Sequence, residues 1–348
     1  MSAAPLLDVN ELQVQFTTED GIVHAVDGVS FKLRAGEVLA IVGESGSGKS
    51  VTAMTLMGLT RSPNARFAGS AKLRDLELVT ASDEELRRVR GSEIAMIFQD
   101  PMTSLNPVHR IGAQIVEQIQ AHEDVSDAEA RDRVVALLER VGIPRARERV
   151  DSYPHEFSGG MRQRVMIAMA MSCDPAVLIA DEPTTALDVT IQAQILREMR
   201  DLRERSETAI MLVTHDLGVV ADIADRIAVM YSGRIVETGT TDEIFYDPQH
   251  PYTWGLLGSI ARVDRPRPER LPSIPGQPPS LINRPEGCHF RPRCRHEFEL
   301  CPKYPRLEGR LPGAPGHDDR CWLPVEEKRK RRHVADGQIG LDAEGAVA

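Results

Sequence analysis

Gly43-Glu44-Ser45-Gly46-Ser47-Gly48-Lys49-Ser50 decides how the rest of the chain is read. A glycine, four spacers and Gly-Lys-Ser form a phosphate-binding pattern. Ahead of it, Val38-Leu39-Ala40-Ile41-Val42 reads as a buried strand, and Thr52 to Leu59 reads as a helix. Strand, glycine turn and helix are the context the pattern needs. Its glycines let backbone N–H groups turn inward on a phosphate chain, and the helix N-terminus adds a favourable dipole. In that setting Lys49 would reach the β- and γ-phosphates and Ser50 would hold Mg²⁺.

With 348 residues the chain has room for about two domains. Apolar residues at 41% and charged residues at 27% are ordinary for a globular protein. A net charge of −10 is no nucleic-acid footprint. No apolar run approaches the ~20 residues that span a bilayer, and Met-Ser-Ala-Ala-Pro-Leu-Leu-Asp lacks the basic start and apolar stretch of a signal peptide. The expectation is a cytosolic chain whose membrane role comes through partners. Five cysteines in such a chain argue against a disulfide framework and leave metal binding or core packing.

Residues 6–16 alternate in part, as an antiparallel strand does. Further strands are expected near Ile22–Val26 and Val29–Leu33, with Ala35-Gly36 turning into the phosphate-loop strand. Phe16 is either a core aromatic at a strand end or a ring that stacks on a purine. Ser82, with Glu85 three residues on, caps an exposed helix to Arg90. Ile94–Phe98 is a buried strand ending at Gln99, a polar residue where open α/β sheets bind ligands. Residues 102–157 change character: Ile111, Ile115 and Ile119 fall on one helical face, and Ala128 to Val141 also has helical spacing. Ser158-Gly159-Gly160 then heads an apolar helix, either as a second anion site or as a plain capped start.

Ala176 to Ala180 is an apolar strand ending in Asp181 and Glu182, costly unless the acids face a ligand or metal. Beside a phosphate loop the pair reads as Walker B. Asp181 would hold Mg²⁺, directly or through water, and Glu182 would orient or deprotonate an attacking water. Asp188 precedes an amphipathic helix from Ile191 to Arg205. Ala209–Thr214 is one more buried strand, ending at His215, which could donate to a γ-phosphate. Two short strands follow around Ser232-Gly233.

The order of these motifs over residues 6–260 resembles the nucleotide-binding subunit of an ATP-binding-cassette transporter. The carriers are Phe16, Walker A (Gly43–Ser50), Gln99, the signature Ser158–Gly160, Walker B with Asp181 and Glu182, Asp188 and the switch histidine His215. Gly-Gly-Met-Arg-Gln-Arg at 159–164, Ala-Asp-Glu-Pro-Thr-Thr-Ala-Leu-Asp-Val-Thr at 180–190 and Pro251-Tyr252-Thr253 look like the D-type ATPase of oligopeptide and dipeptide importers, with nickel importers as close relatives. The resemblance continues through Leu271–Pro279. It implies an α/β, RecA-like P-loop ATPase core with an N-terminal antiparallel β subdomain, an α-helical insert and a small Cys-rich C-terminal region.

For the site, the resemblance implies ATP held by Phe16, Gly43, Ser45, Gly46, Ser47, Gly48, Lys49, Ser50, Val51, Gln99, Asp181 and His215. Mg²⁺ would sit at Ser50, Gln99 and Asp181, and Glu182, His215 and Gln99 would carry the chemistry. Ser158, Gly159, Gly160 and Asp188 would serve the ATP of a partner in a head-to-tail pair. Val51 stands where the family often has Thr, losing a hydroxyl near the α-phosphate. Met161 replaces the usual Gln, a mark of the D-type. Implied partners are a second ATPase subunit, an F-type paralogue, two transmembrane permease subunits and an extracytoplasmic solute-binding protein, with no nucleic acid. The chain would be peripheral on the cytoplasmic side of the membrane, with Met102–Pro107 meeting a coupling helix. Two other classes were weighed: a soluble cassette ATPase on nucleic acid or ribosome, and an iron–sulfur sensor with vestigial ATPase.

Cys173 reads as core. Cys288, Cys294, Cys301 and Cys321 lie in a Pro-, Arg- and His-rich segment that needs a staple. Gaps of five, six and nineteen residues lack close Cys-x-x-Cys pairs, so spacing leaves zinc, a cluster and free thiols open, with His289, His296 and His317 as further zinc ligands. The resemblance of Gly-Cys-His-Phe-Arg-Pro-Arg-Cys (287–294) to D-type ATPases implies a [4Fe-4S] cluster on the four cysteines. The domains read as 1–262 (cassette, insert about 101–157), 263–325 (Cys-rich) and 326–348, a basic run read as solvated or lipid-facing and then a disordered tail.

Overall fold

The computed structural model describes residues 4–100, 104–184, 187–259, 274–311 and 313–335. The chain opens with β1 (Leu7–Thr18) and β2 (Gly21–Leu33), paired antiparallel around Glu19-Asp20. The two short strands expected over 22–33 are one. The chain passes Gly28 without a break because a bulge absorbs it: Glu11 and Gly28 both take positive φ, 49° and 72°, beside register shifts around Leu12. β3 (Val38–Val42) is buried throughout and runs into the phosphate loop and α1 (Lys49–Leu56). β4 (Ala65–Leu73) and β5 (Leu76–Glu77) complete a four-stranded sheet in the order β2-β1-β4-β5. In α2 (Asp83–Val89) the capping box forms as expected, with Ser82 accepting from Glu85 N–H and Glu85 reaching back.

β6 (Ile94–Ile97) is followed by α3 (Ile111–His122), α4 (Asp127–Arg140) and α5 (Ala146–Arg149). Ile111, Ile115 and Ile119 are all fully buried, as their spacing requires. They share one apolar cluster with Val134 and Leu138 of α4 and Leu178 of the central sheet, so the insert is packed on the core. α6 (Gly159–Ala170) is capped by Ser158, and β7 (Val177–Asp181) is buried along its length. After α7 (Val189–Ser206), capped by Asp188, come β8 (Ala209–Thr214) and α8 (Leu217–Ile223). β9 (Arg226–Tyr231) and β10 (Arg234–Thr240) form a hairpin. Ser232 (φ 47°) and Gly233 (φ 80°) are both left-handed, which matches a two-residue turn to the strand twist. The remainder is α9 (Thr241–Tyr246), α10 (Pro251–Gly258), β11 (Glu308–Gly309), β12 (Asp318–Asp319) and α11 (Val325–Ala335).

The large sheet has the order β11-β12-β10-β9-β3-β8-β7-β6. β9, β3, β8, β7 and β6 run parallel, and their continuous apolar sequences reflect burial on both faces. The carboxyl ends of β3, β6, β7 and β8 therefore open on one edge, where the polar residues Gly43–Ser50, Gln99, Asp181–Glu182 and His215 follow the strands.

The basic run Lys328–Arg332, expected as a solvated or lipid-facing terminus, is instead the middle of α11. Lys328 is buried against Asp319 at 2.7 Å, and Arg332 holds Asp247 at 2.8 Å. Arg329 and Lys330 are exposed, as a solvated run would be, and Lys330 and Arg331 pair with Glu327 of the same helix, so the expectation fails at Lys328 and Arg332. The expectations for 260–273 and 336–348, and for Met102 and Thr103 of the coupling contact, lie outside the described residues.

Candidate nucleotide site and cysteine cavity

The phosphate loop leaves β3 at Gly43, where φ is 155° and a Cβ would come 2.1 Å from Met230 O. Gly48 is tighter in conformation: its φ is 102°, and a Cβ would meet Ala25 O at 2.3 Å. Only glycine keeps this backbone close to its neighbours with its N–H groups turned inward. Gly48→Ala is therefore expected to weaken nucleotide binding by at least about ten-fold, read by titration, since strain of this kind costs about 1–3 kcal/mol. Lys49 is buried, and its Nζ donates to Gly43 O (2.8 Å), Glu44 O (2.9 Å) and Ser47 Oγ (3.4 Å). Burial lowers its pKa, while Glu182 and Asp181 pull it back up. Val51 leans on the apolar cluster under the β subdomain, so its side chain serves packing.

Ser50 Oγ donates to Asp181 Oδ1 at 3.1 Å, which joins the head of α1 to the end of β7. Asp181 is buried, and desolvation raises its pKa against the opposing pull of Ser50 and Lys49. A buried carboxylate beside a hydroxyl suits a hard divalent cation, which supplies the charge that burial penalises. Glu182 takes a left-handed backbone (φ 49°), with its N–H on Val213 O at 2.8 Å. Two predicted residues converge on it: Gln99 Nε2 donates to Oε2 at 3.1 Å, and His215 Nδ1 lies 3.0 Å from Oε1. Phe16 is half-buried on β1 against the same cluster as Val51.

The four C-terminal cysteines line one cavity, together with His250, Phe290 and His296. None of them is in a disulfide. Burial pushes the thiols of Cys294 and Cys321 up to about 12, and Cys288 also rises. Of the alternative zinc ligands, His289 is turned to Ser232 O (3.2 Å) and His317 to Glu237 (2.9 Å), and only His296 faces the cavity. Among the described residues no group of three or more His, Cys, Asp or Glu is arranged to hold a metal ion. The expected metal staple thus finds no coordinating arrangement. Ion pairs tie the region to the cassette at Arg293–Glu44, Arg284–Asp27 and His317–Glu237, and Lys328–Asp319 ties α11 to β12. Cys173 is half-buried against the core, as expected.

Residues 26–185 match the family model "ABC transporter", and 236–301 match "Oligopeptide/dipeptide transporter, C-terminal region". The chain is 53% identical over 322 residues to the oligopeptide transport ATP-binding protein OppD of Salmonella typhimurium, covering 92% of this chain and 95% of the relative. It is 49% identical over 334 residues to the dipeptide transport ATP-binding protein DppD of Bacillus subtilis, covering 95% and 98%. The chain belongs to the ABC transporter family. A dimeric ATP-binding cassette solved in a post-hydrolysis state with ADP and Pi superimposes with a TM-score of 0.62 at 24% identity, over 68% of this chain and 98% of that one, and it bears out the mixed α/β fold. The structure of an ATP-binding subunit of an ABC transporter gives 0.58 at 28% identity, over 74% and 96%.

Within this ABC fold the remaining predicted residues are kept apart from the loop. Ser158 and Gly159 are exposed, with open space around Gly159, and Asp188 is exposed beside Val189, whose exposure is 83%. Sequence reasoning missed Gln163, buried on α6, which donates to Pro183 O at 2.5 Å and so links the Ser-Gly-Gly helix to the Walker B turn. It also missed Arg293, whose guanidinium reaches Glu44 inside the phosphate loop. Neither shows in pattern or spacing, because each acts across a long stretch of chain. Among the described residues no helix is long and apolar enough to cross a membrane.

Proposed function

We propose that this chain is the ATP-hydrolysing subunit of an importer of di- and oligopeptides. The observation that carries the chemistry is the convergence of Gln99 and His215 on Glu182, beside Asp181 and Ser50. Lys49 and the loop N–H groups bind the phosphate chain, and Phe16 offers its ring to the base. Ser50 and Asp181, with Gln99, would hold Mg²⁺, which when bound would supply positive charge beside the phosphates. Glu182 orients a water and takes its proton as the oxygen bonds the γ-phosphorus and the bond to the ADP oxygen breaks. His215 and Gln99 keep the Glu182 carboxylate aimed, and the exposed His215 can also donate to the γ-phosphate.

Ser158–Gly160 and Asp188 complete the site of a second ATPase subunit placed head to tail, and we take that subunit to be an F-type paralogue. Two permeases and an extracytoplasmic binding protein complete the assembly, with this chain on the cytoplasmic side. The cassette covers residues 1–262, followed by the cysteine region. The names of the relatives favour peptides over nickel as cargo. The four cysteines line one shared cavity, and they would be the ligands of a [4Fe-4S] cluster, which takes four thiolates and would supply the iron that stabilises them.

The test is purification from membranes with the neighbouring subunits, followed by ATP-dependent peptide uptake in vesicles. Uptake that stops with Lys49→Ala supports the proposal. A complex that stays intact with no membrane protein overturns it. The absorption spectrum of anaerobic protein checks the cysteines: a broad visible band that disappears in Cys294→Ser is expected of a cluster, and a colourless protein containing zinc is not.

A further inference from the structure

The phosphate loop and the cysteine cavity touch through one residue. Arg293 ends the short turn Arg291–Arg293, flanked by Cys288 and Cys294. Its side chain is only 4% exposed, and all five N–H donors are engaged. Nη1 and Nη2 grip the two oxygens of Glu44 at 2.6 and 3.0 Å. Nη1 also meets Tyr231 Oη (3.3 Å), Nη2 meets Ile274 O (3.2 Å) and Nε meets Pro275 O (2.9 Å). Glu44 is the second residue of the loop, and its carbonyl and that of Gly43 are the two that Lys49 Nζ donates to. Its own N–H donates to Tyr252 Oη at 2.8 Å. Phe290, which lines the cysteine cavity, packs its ring 5.3 Å from Tyr231 and 5.5 Å from Tyr252. Glu44 is thus held by its side chain from the cysteine-bearing turn and by its backbone from Tyr252, a cassette residue whose ring packs on Phe290 of that turn.

We propose that Arg293 is a positioning residue for the phosphate loop, clamping Glu44 so that nucleotide affinity follows the state of the cysteine cavity. This rests on the reading of Gly43–Ser50 as the phosphate site. A planar fork with every donor satisfied has one geometry, so a shift of the turn between Cys288 and Cys294 is passed to Glu44 and from there to the carbonyls around Lys49.

The experiment is equilibrium titration of the full-length chain with a fluorescent ATP analogue and Mg²⁺. Arg293→Gln and Glu44→Gln are each expected to raise the dissociation constant about ten-fold. The double variant goes no further, because both break one link. Arg293→Lys keeps the charge without the fork and recovers only part. Cys294→Ser weakens binding in the wild-type background and changes nothing in the Arg293→Gln background. Arg332→Gln, which loosens α11 away from the loop, lowers the unfolding midpoint and leaves the constant unchanged.

Wild-type affinity in Arg293→Gln, or additive single effects, overturns the clamp. A Cys294→Ser chain that binds like wild type overturns the link to the cavity. An Arg332 variant that loses as much affinity as Arg293→Gln reduces Arg293 to a structural part. Lys49→Ala separates this proposal from the one beneath it. If Lys49→Ala binds nucleotide normally, the phosphate-site reading fails; if it loses binding while Arg293→Gln does not, only the clamp fails.

Discussion

Glu182→Gln is expected to lower ATP turnover about 10²- to 10⁴-fold, the usual contribution of a positioned general base, while the nucleotide still binds. The amide keeps the shape and the contact to His215 Nδ1, but it takes no proton from water. Its loss should appear in kcat, with the dissociation constant for ATP little changed or tighter. That split distinguishes chemistry from binding. Gln99 and His215 act through the same carboxylate, so His215→Ala should cost less, and His215→Ala combined with Glu182→Gln should cost no more than Glu182→Gln alone. Turnover close to wild type in Glu182→Gln would remove Glu182 from the mechanism and return the role of base to another group.

The second large effect is on stability. Lys328→Ala is expected to cost about 3 kcal/mol, because it removes the nearer of the two cations on a buried carboxylate and leaves only Arg310. The side chains of Lys328 and Asp319 are 0% and 2% exposed, and both carboxylate oxygens accept from Nζ at 2.7 Å. Arg310 touches the same carboxylate at 3.3 Å, and Cys321 N–H donates to it at 2.8 Å. Desolvation already pushes the Asp319 pKa up against the pull of Lys328, so removing the lysine favours a neutral acid. Denaturant unfolding of Lys328→Ala reads the loss. Lys328→Ala with Asp319→Asn should recover part of it, since the stranded charge is gone. An unchanged midpoint would mean that water reaches the pair.

The nucleotide site was legible because its signals are local. The change from apolar strand to glycine turn to helix fixes β3, the loop and α1, and apolar runs ending in Gln99, Asp181 and His215 mark the parallel strands around them. Strands buried on both faces advertise themselves. The Ser82–Glu85 capping box and the Ser232-Gly233 turn are equally self-contained. What stayed hidden depends on distant pairing. Arg293 and Glu44 are 249 residues apart, and no spacing rule links them. β11 and β12 have two residues each, too short for any alternation to show. The basic run looked solvated because its counter-charges, Asp319 and Asp247, lie elsewhere in sequence. Phe16 stayed ambiguous for a different reason: an aromatic at a strand end serves packing and stacking alike, and it is half-buried.

The strands at one edge of the large sheet have a consequence for the ancestry and engineering of the chain. β12 adds to β10 through Glu237 and Asp319, β11 adds to β12, and Leu281 O accepts the N–H of His24 in β2. The segment that composition sets apart thus closes the border of the sheet that carries the nucleotide site. A cut near residue 262 would remove β11, β12 and their pairing. It would expose the backbone of β10, and such a bare border invites a strand from another molecule. Recombination between relatives that swaps only the last quarter of the chain must therefore inherit matching partners at Glu237, Asp27 and Glu44, and a graft lacking them would misassemble before it ever met nucleotide.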